Sequence, residues 1–219
     1  MHIIDITLPI STASVIWPDQ PPVSISHVRH LDRGDHATVS QITMSVHTGT
    51  HVDAPCHFLP GGATLDEIDL RLLVGPAVVV HSADAAAVTS EVLEQLGVPP
   101  RTGRLLIRTR NSERWAAGAA AFRPDYVGLT PDAASWLIKR GVRLLGTDYL
   151  SVAGWKQNVE THRMLLRAGL VLLEGLDLSQ VAAGAYQLIC LPLRIAQSEA
   201  APARAILTQQ APDTPGAAA

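Results

Sequence analysis

The histidine segment, residues 47–57, reads HTGTHVDAPCH and contains three of the nine histidines of the chain beside an aspartate. Histidine nitrogens and carboxylate oxygens are common ligands for zinc, manganese and similar divalent ions. Gly49 and Pro55 interrupt the segment and disfavour a helix, so we expect its side chains to converge from a tight loop. The segment predicts a metal centre with hydrolytic chemistry built around it.

Five side chains from two distant parts of the sequence are candidate metal ligands. The histidine segment supplies His47, His51 and Asp53. A dinuclear site needs at least one carboxylate that bridges two ions about 3.5–4 Å apart, and further ligands must come from elsewhere. Glu174 ends an apolar run in which a carboxylate is costly to bury without a cation. His162 lies at the start of the helix before this run, and a strand's carboxyl end beside a helix N-terminus is a common site in α/β sheets.

His57 is the third histidine of the segment and is better suited to proton transfer than to coordination. An imidazole with a pKa of roughly 6.5 can accept a proton from water and return it to a leaving group. The residues alone leave plainer interpretations open. The three histidines could be turn residues, Glu174 an ion-paired acid at a strand end, and His162 a histidine that only hydrogen-bonds the backbone.

The composition describes one folded domain of ordinary size. The 219 residues are 47% hydrophobic and 17% charged with a net charge of −3, which excludes a disordered chain and gives no basic surface for nucleic acid. Cys56 and Cys190 are far apart, so we expect no disulfide framework and a reducing, cytoplasmic location. No basic leader or membrane span is apparent, so we expect no membrane partner. We predict a single domain over residues 1–211 and a flexible tail over residues 212–219.

Strand-like and helix-like patterns alternate along the chain. Runs of β-branched residues or alternating polarity predict strands, whereas capping residues, an N1 proline and terminal glycines delimit helices. The predicted strands are residues 2–9, 23–30, 37–46, 75–81, 104–109, 142–147, 170–175, 186–195 and 203–208. The predicted helices cover about 89–96, 130–141 and 161–169. Since there is no Gly-rich nucleotide-binding loop, this mixture predicts an α/β or α+β domain that does not bind nucleotides through such loops.

Other groups that could bind a metal are weaker candidates. His27, His30 and His36 form a looser group, which we interpret as surface histidines. Cys56 lies inside the histidine segment, where a small buried filler is a better interpretation than an extra ligand or an oxidation-sensitive thiol.

Motifs along nearly the whole chain match one family pattern. They are HTGTHVDAPCHF followed by LPGGATLDEI, the pair Trp17-Pro18, GTDYLS at residues 146–151, and the ending CLPLRI…APARAIL. His162 and Glu174 are twelve residues apart, as are the distal histidine and glutamate of that family. The sequence therefore resembles the cyclase-like metal-dependent hydrolases, whose best-known members are the bacterial kynurenine formamidases.

The resemblance implies how the five ligands divide between two divalent ions. His47, His51 and Asp53 would hold the first ion. Asp53 and Glu174 would bridge to the second ion, which His162 would also bind. The implied ions are zinc or manganese, and nitrogen and oxygen ligands suit both.

The same resemblance implies the remaining roles, the fold and the assembly. His57 would be the proton donor and acceptor, and Trp17 would stack on the aromatic ring of the substrate. An alternative for Trp17 is packing against a neighbouring subunit. The implied fold is a single β-rich α/β domain of the swivelling β/β/α type with a mixed sheet, assembled as a homodimer or homotetramer.

The function that the resemblance implies is hydrolysis of a small-molecule amide. The leading hypothesis is an arylformamidase of tryptophan catabolism that cleaves N-formyl-L-kynurenine, or a related aryl formamide, to formate and an amine. Arg163 and Tyr149-Leu150 depart from the pattern of tryptophan-pathway formamidases, so the family is better defined than the substrate. Two alternatives stay open: a hydrolase of a cyclic amide, imide or lactone, like the isatin hydrolases, and a catalytically silent metal-stabilised domain that assembles oligomers or binds a ligand.

Overall fold

A computed structural model describes residues 1–209, which form ten strands and five α-helices. The strands are β1 (His2–Asp5), β2 (Ser24–Arg29), β3 (Val39–Thr43), β4 (His51–Asp53), β5 (Val74–Ser82), β6 (Arg104–Thr109), β7 (Leu144–Thr147), β8 (Val171–Glu174), β9 (Gly184–Pro192) and β10 (Ala200–Gln209). The helices are α1 (Leu70–Leu73), α2 (Ser90–Gln95), α3 (Asn111–Ala116), α4 (Pro131–Lys139) and α5 (Asn158–Arg167). The predicted tail at residues 212–219 lies outside the described residues. No helix within residues 1–209 has the length and apolar character needed to cross a membrane.

Eight strands form one mixed sheet that closes on itself. Their order is β1-β10-β4-β8-β7-β6-β5-β9, and β9 pairs again with β10. Strand β10 is long enough to pair with β4 through residues 200–202, with β1 through residues 206–209, and with β9 through residues 203–208. The prediction of a β-rich α/β domain with a mixed sheet is confirmed.

The centre of the sheet is a parallel α/β unit. Strands β5 to β8 run parallel, and α2, α4 and α5 lie in the successive connections that parallel strands require. Alternate side chains of a strand point to opposite faces. Accordingly, Leu105 packs with Leu137 and Leu165 of the helices. Its neighbour Leu106 packs with Leu188 in a second apolar core.

Strands β2 and β3 form a separate two-stranded antiparallel sheet. Every residue of both strands is exposed to solvent. The two strands predicted at residues 23–30 and 37–46 are therefore present. The second of them ends at Thr43, however, and does not run straight into the histidine segment.

Two local predictions about the site were wrong. The histidine segment is not a loop throughout, because His51–Asp53 forms β4, which pairs with β10 and β8. All three of its residues are buried, so polarity does not alternate in the way that marks a half-buried strand. Helix α5 begins at Asn158 rather than near Thr161, which places His162 in its second turn and not at its start.

The short helices α1 and α3 have no counterpart among the predicted helices.

Candidate metal centre

The pairing of β4 with β8 brings the two distant parts of the sequence together. His51 lies opposite Glu174 in the antiparallel register of these strands, and side chains opposite each other are close neighbours. Gly175 follows Glu174 with a φ of +68°, and a Cβ atom at this position would collide with the carbonyl oxygen of Gly49. The close approach of these two glycines therefore sets the distance between the turn before β4 and the end of β8.

Five side chains form a cluster of imidazole and carboxylate groups. Nδ1 of His47 lies 3.0 Å from Oδ1 of Asp53, and Nε2 of His51 lies 3.5 Å from the same oxygen. Oε2 of Glu174 lies 3.3 Å from Nε2 of His51, and Oε1 lies 3.1 Å from Nε2 of His162. These side chains form two groups of three that could each hold a metal ion, His47–His51–Asp53 and Asp53–His162–Glu174. Asp53 belongs to both groups.

The burial of two acids in the cluster indicates that it accommodates cations. Asp53 and Glu174 are 1% and 3% exposed, and within residues 1–209 their ion-pair partners are all histidines. Oδ1 of Asp53 lies close to two imidazole nitrogens but accepts no hydrogen bond from the described residues. A buried carboxylate oxygen without a partner is costly, and a divalent ion among these ligands would satisfy it. The donor set of nitrogen and oxygen atoms fits ions such as zinc or manganese.

Backbone hydrogen bonds orient two of the histidines for coordination. Nδ1 of His51 lies 2.9 Å from the carbonyl oxygen of Gly49, and Nδ1 of His162 lies 2.7 Å from that of Asn158. A carbonyl oxygen only accepts, so each Nδ1 carries the proton and each neutral ring keeps its Nε2 lone pair free. Both Nε2 atoms lie beside Glu174. Metal-binding histidines commonly have this arrangement.

The acids and histidines of the cluster stabilise each other's charged forms. Burial opposes protonation of His51, but Glu174 and Asp53 outweigh it and raise the pKa of the imidazole to about 9. Burial also opposes protonation of His162, but Glu174 and Asp53 outweigh burial and raise the pKa of this imidazole as well. Burial favours the neutral form of Glu174, yet His162 and His51 hold the pKa of its carboxyl well below its usual range. The charged form of Glu174 thus requires nearby positive charge, whether as protons on the histidines or as metal ions.

His57 lies next to the cluster but belongs to neither ligand group. His57 is the last residue of a short 3₁₀ helix, Pro55–His57, that follows β4. The ring centroid of His57 is 4.2 Å from the ring centroid of His47. Burial lowers the pKa of His57 below 6.5, so its imidazole is neutral near pH 7 and able to accept a proton. The next residue, Phe58, stacks on His162 with ring centroids 4.5 Å apart.

A cavity of about 360 Å³ opens beside the cluster. The candidate ligands and His57 form part of its wall, and Trp17 and Trp155 form another part, with ring centroids 5.0 Å apart. Phe122 packs edge-on against Trp17 with ring centroids 5.0 Å apart, and both side chains lie against a small apolar cluster that includes Tyr126 and Tyr149. The cavity therefore suits a ligand that has both an aromatic ring and a reactive polar group. A larger cavity of about 670 Å³ contains none of these groups.

The structure brings together all seven residues that the sequence singled out for the site. Each of them lines the cavity: Trp17, His47, His51, Asp53, His57, His162 and Glu174. His27 and His30 lie on or beside the exposed strand β2, away from this cavity. Cys56 is partly buried and packs against the core.

Sequence reasoning missed several side chains at the site, and three of them contact residues that it had singled out. Phe58 could have been noticed, because it directly follows His57 within the motif that carries the resemblance. Trp155 precedes α5 and is 41% exposed, which is unusual for so large an apolar side chain. Oε1 of Glu199 lies 3.7 Å from Nε2 of His47, and no local pattern marks it because the folding of the chain around β10 brings it there.

Comparison with known proteins agrees with this geometry. The chain matches the family model described as "Putative cyclase" over residues 4–153. Cyclase-like protein 2 of Oryza sativa subsp. japonica is 40% identical over 185 residues, which cover 82% of this chain and 68% of that protein.

Two solved structures are similar over nearly the full length of the chain. One, described as a potential metal-dependent hydrolase with cyclase activity, has a TM-score of 0.82 at 31% identity and covers 96% of this chain and 99% of that chain. Isatin hydrolase A from Labrenzia aggregata, bound to benzyl benzoate, has a TM-score of 0.77 at 28% identity and covers 94% of this chain and 93% of that chain. The chain therefore belongs to the cyclase family and has the fold of metal-dependent hydrolases of that family.

Proposed function

We propose that this chain is a metal-dependent amide hydrolase that cleaves an aryl formamide to formate and an aryl amine. The observation that carries the proposal is the shared cavity, because a metal-ligand cluster, a separate histidine and two tryptophans surround one space. N-formyl-L-kynurenine is one such aryl formamide, and it is the substrate of the formamidases that the motifs of this chain resemble.

Asp53 is the proposed shared ligand, because as a member of both ligand groups it would help to hold both ions. His47 and His51 complete the first group, and His162 and Glu174 complete the second. Zinc or manganese ions, if held by these residues, would supply Lewis-acid polarisation of a carbonyl and would lower the pKa of water to about 7.

His57 is the proposed proton carrier. Because burial lowers its pKa, the imidazole is neutral near pH 7 and one of its nitrogens can accept the proton of the attacking water. The protonated ring then donates this proton to the departing amide nitrogen, which leaves more readily as an amine. Contact with the ring of His47 keeps His57 beside the ligand cluster through both transfers.

Trp17 and Trp155 are proposed to orient the aryl ring of the substrate. Their indole rings line the same cavity as His57, and aromatic pairs favour offset or edge-to-face contacts. Such contacts restrict the position of the scissile carbonyl relative to the ligand cluster, which increases the fraction of productive encounters.

A cyclic amide or lactone is the second candidate substrate, favoured by the similarity of the fold to isatin hydrolase A at 28% identity. Ring opening would use the same residues, with His57 protonating a leaving atom that stays tethered to the product. A catalytically silent domain has less support, because a structural metal site is closed and does not need His57 or an open cavity.

The test is to strip metal from the protein, reload it with zinc or manganese, and measure both ion content and hydrolysis. Formate release from formanilide and N-formyl-L-kynurenine is measured beside ring opening of isatin. We expect turnover of at least one formamide by the reloaded protein and none by the stripped protein. Turnover of isatin alone would establish the second candidate. A protein that binds the ions and hydrolyses none of these compounds would refute both.

A further inference from the structure

Among the described residues 1–209, the wall of the cavity outside the ligand cluster contains no lysine or arginine. Apart from the candidate ligands and His57, its side chains are aromatic, aliphatic or neutral and polar, and no lysine or arginine of residues 1–209 lines it. The neutral polar side chains are Gln20, Ser151 and Asn158. The part of a ligand that lies beyond the reacting bond therefore meets uncharged groups.

These groups are poorly suited to a buried anion. A ring carboxylate on the side away from the ligand cluster leaves water for a wall containing Trp17 and Trp155, and it finds no lysine or arginine of residues 1–209 there to pair with. Nδ2 of Asn158 already donates a hydrogen bond to Oγ of Ser151 at 3.2 Å, so part of the neutral donor capacity is occupied. A neutral polar substituent costs less free energy to move from water into the cavity, because one or two hydrogen bonds satisfy an amide or hydroxyl group.

We propose that the substrate is an uncharged aryl amide, and that the enzyme discriminates against substrates whose ring carries a carboxylate or an amino acid group. The inference rests on the proposed function and narrows its substrate class. Discrimination arises because an unpaired charge in the cavity raises the free energy of the bound state. N-formyl-L-kynurenine carries an ammonium group and a carboxylate, and is therefore expected to be a poor substrate.

A substitution at Val159 can place a positive charge in the cavity wall and so test whether the missing charge causes the discrimination against carboxylates. Val159 lies in the first turn of α5, lines the cavity and is 50% exposed, so a longer side chain can be placed there without crowding the core. Val159→Arg adds a guanidinium that can pair with a carboxylate through two parallel hydrogen bonds. Val159→Gln is the matched control, because it adds a polar side chain without a charge.

The experiment compares para-formamidobenzamide with para-formamidobenzoate, which are similar in shape and differ in charge. We expect the metal-reloaded wild type to hydrolyse the benzamide with a kcat/KM more than about tenfold higher than that of the benzoate. V159R should reduce this ratio severalfold, and V159Q should leave it unchanged. Equal or faster hydrolysis of the benzoate by the wild type, or the same ratio in both variants, would overturn the inference.

A failure of the proposed function is distinguishable from a failure of this inference. If the reloaded protein hydrolyses neither of these compounds nor formanilide and N-formyl-L-kynurenine, the proposed formamidase function is refuted, and discrimination against a charged ring substituent is measured by binding instead. Benzamide and benzoate are then titrated into the metal-reloaded wild type, V159R and V159Q, with quenching of tryptophan fluorescence as the readout. A ratio of benzoate affinity to benzamide affinity that rises severalfold in V159R but not in V159Q supports the inference, whereas the same ratio in all three proteins rejects it.

Discussion

The backbone N–H of Val152 donates a hydrogen bond of 2.7 Å to Oε1 of Glu174. Val152 lies in the loop after β7, so a loop outside its own strand holds this carboxylate in place. Asp148 begins the same loop and is fully buried. Its carboxylate accepts hydrogen bonds from the backbone and hydroxyl groups of Thr109 and Ser112, at the end of β6 and in α3. The position of Glu174 therefore depends on an acid that does not line the cavity.

Asp148→Ala should destabilise the protein and weaken metal binding together. The change leaves the buried N–H groups of Thr109 and Ser112 without an acceptor, which costs about 1–3 kcal/mol for each group. We expect the free energy of unfolding, measured by denaturant titration, to fall by about 2–6 kcal/mol. Metal affinity, measured by titration, should fall about 10–100-fold because Glu174 loses its support. Asp125→Ala removes an exposed acid and is the control, so equal losses in both variants would contradict this role.

The metal content of variants should follow the two ligand groups. Asp53→Asn removes the carboxylate that both groups share, so we expect no tightly bound ion. His162→Ala changes the second group alone, so we expect it to leave about one ion per chain, against about two expected for the wild type. Elemental analysis of the purified proteins measures both values. Full metal content in Asp53→Asn would show that Asp53 is not a bridge.

Removing the ions should lower the thermal stability of the wild type. Ions that bind only the folded state at roughly 100 times their Kd contribute about 2.7 kcal/mol of stability. For a chain of this size we therefore expect a chelator to lower Tm by roughly 5–10 °C, measured by differential scanning calorimetry. Asp53→Asn should show no such shift. A wild-type Tm that does not respond to the chelator would argue against a resident metal.

His57→Ala should reduce turnover without releasing the metal. The ring of His57 contacts His47 but belongs to neither ligand group, so ion content and Tm should remain close to those of the wild type. Loss of a general acid–base group lowers kcat by about 10²–10⁴-fold, and we expect this range for a formamide substrate. Unchanged kcat in the variant would remove His57 from the mechanism.

The ligand cluster was predictable because each half of it carries a local pattern. His47, His51 and Asp53 fall within a few residues of each other in an otherwise apolar part of the chain. Glu174 stands at the end of an apolar strand, where a carboxylate has a high cost of burial. The parallel α/β part of the sheet was predictable for a similar reason, since capping residues and continuous apolar runs are local features.

The parts that sequence reasoning missed depend on pairing between distant segments. Strand β4 has only three residues, all buried, and its hydrogen-bond partners lie in β8 and β10. The register that places His51 opposite Glu174 follows from this pairing and from the contact between Gly49 and Gly175. Asp148 gives no local indication of its role, because its donors come from a different strand and helix.

The acid stability of the protein should depend in part on Asp132, in the first turn of α4. The Thr130 hydroxyl and the backbone N–H of Ser90, at 2.7 Å, lower the pKa of Asp132 from 3.8 to about 2. A lowered pKa means that the charged form stabilises the folded state above pH 3.8 and that this stability is lost as the pH falls to about 2. Asp132→Asn should therefore lower the free energy of unfolding at pH 6 by less than about 1 kcal/mol, because the side chain is exposed, and Tm should fall slightly with it. The two proteins should converge in Tm near pH 2, and a constant difference between them at every pH would contradict the assignment.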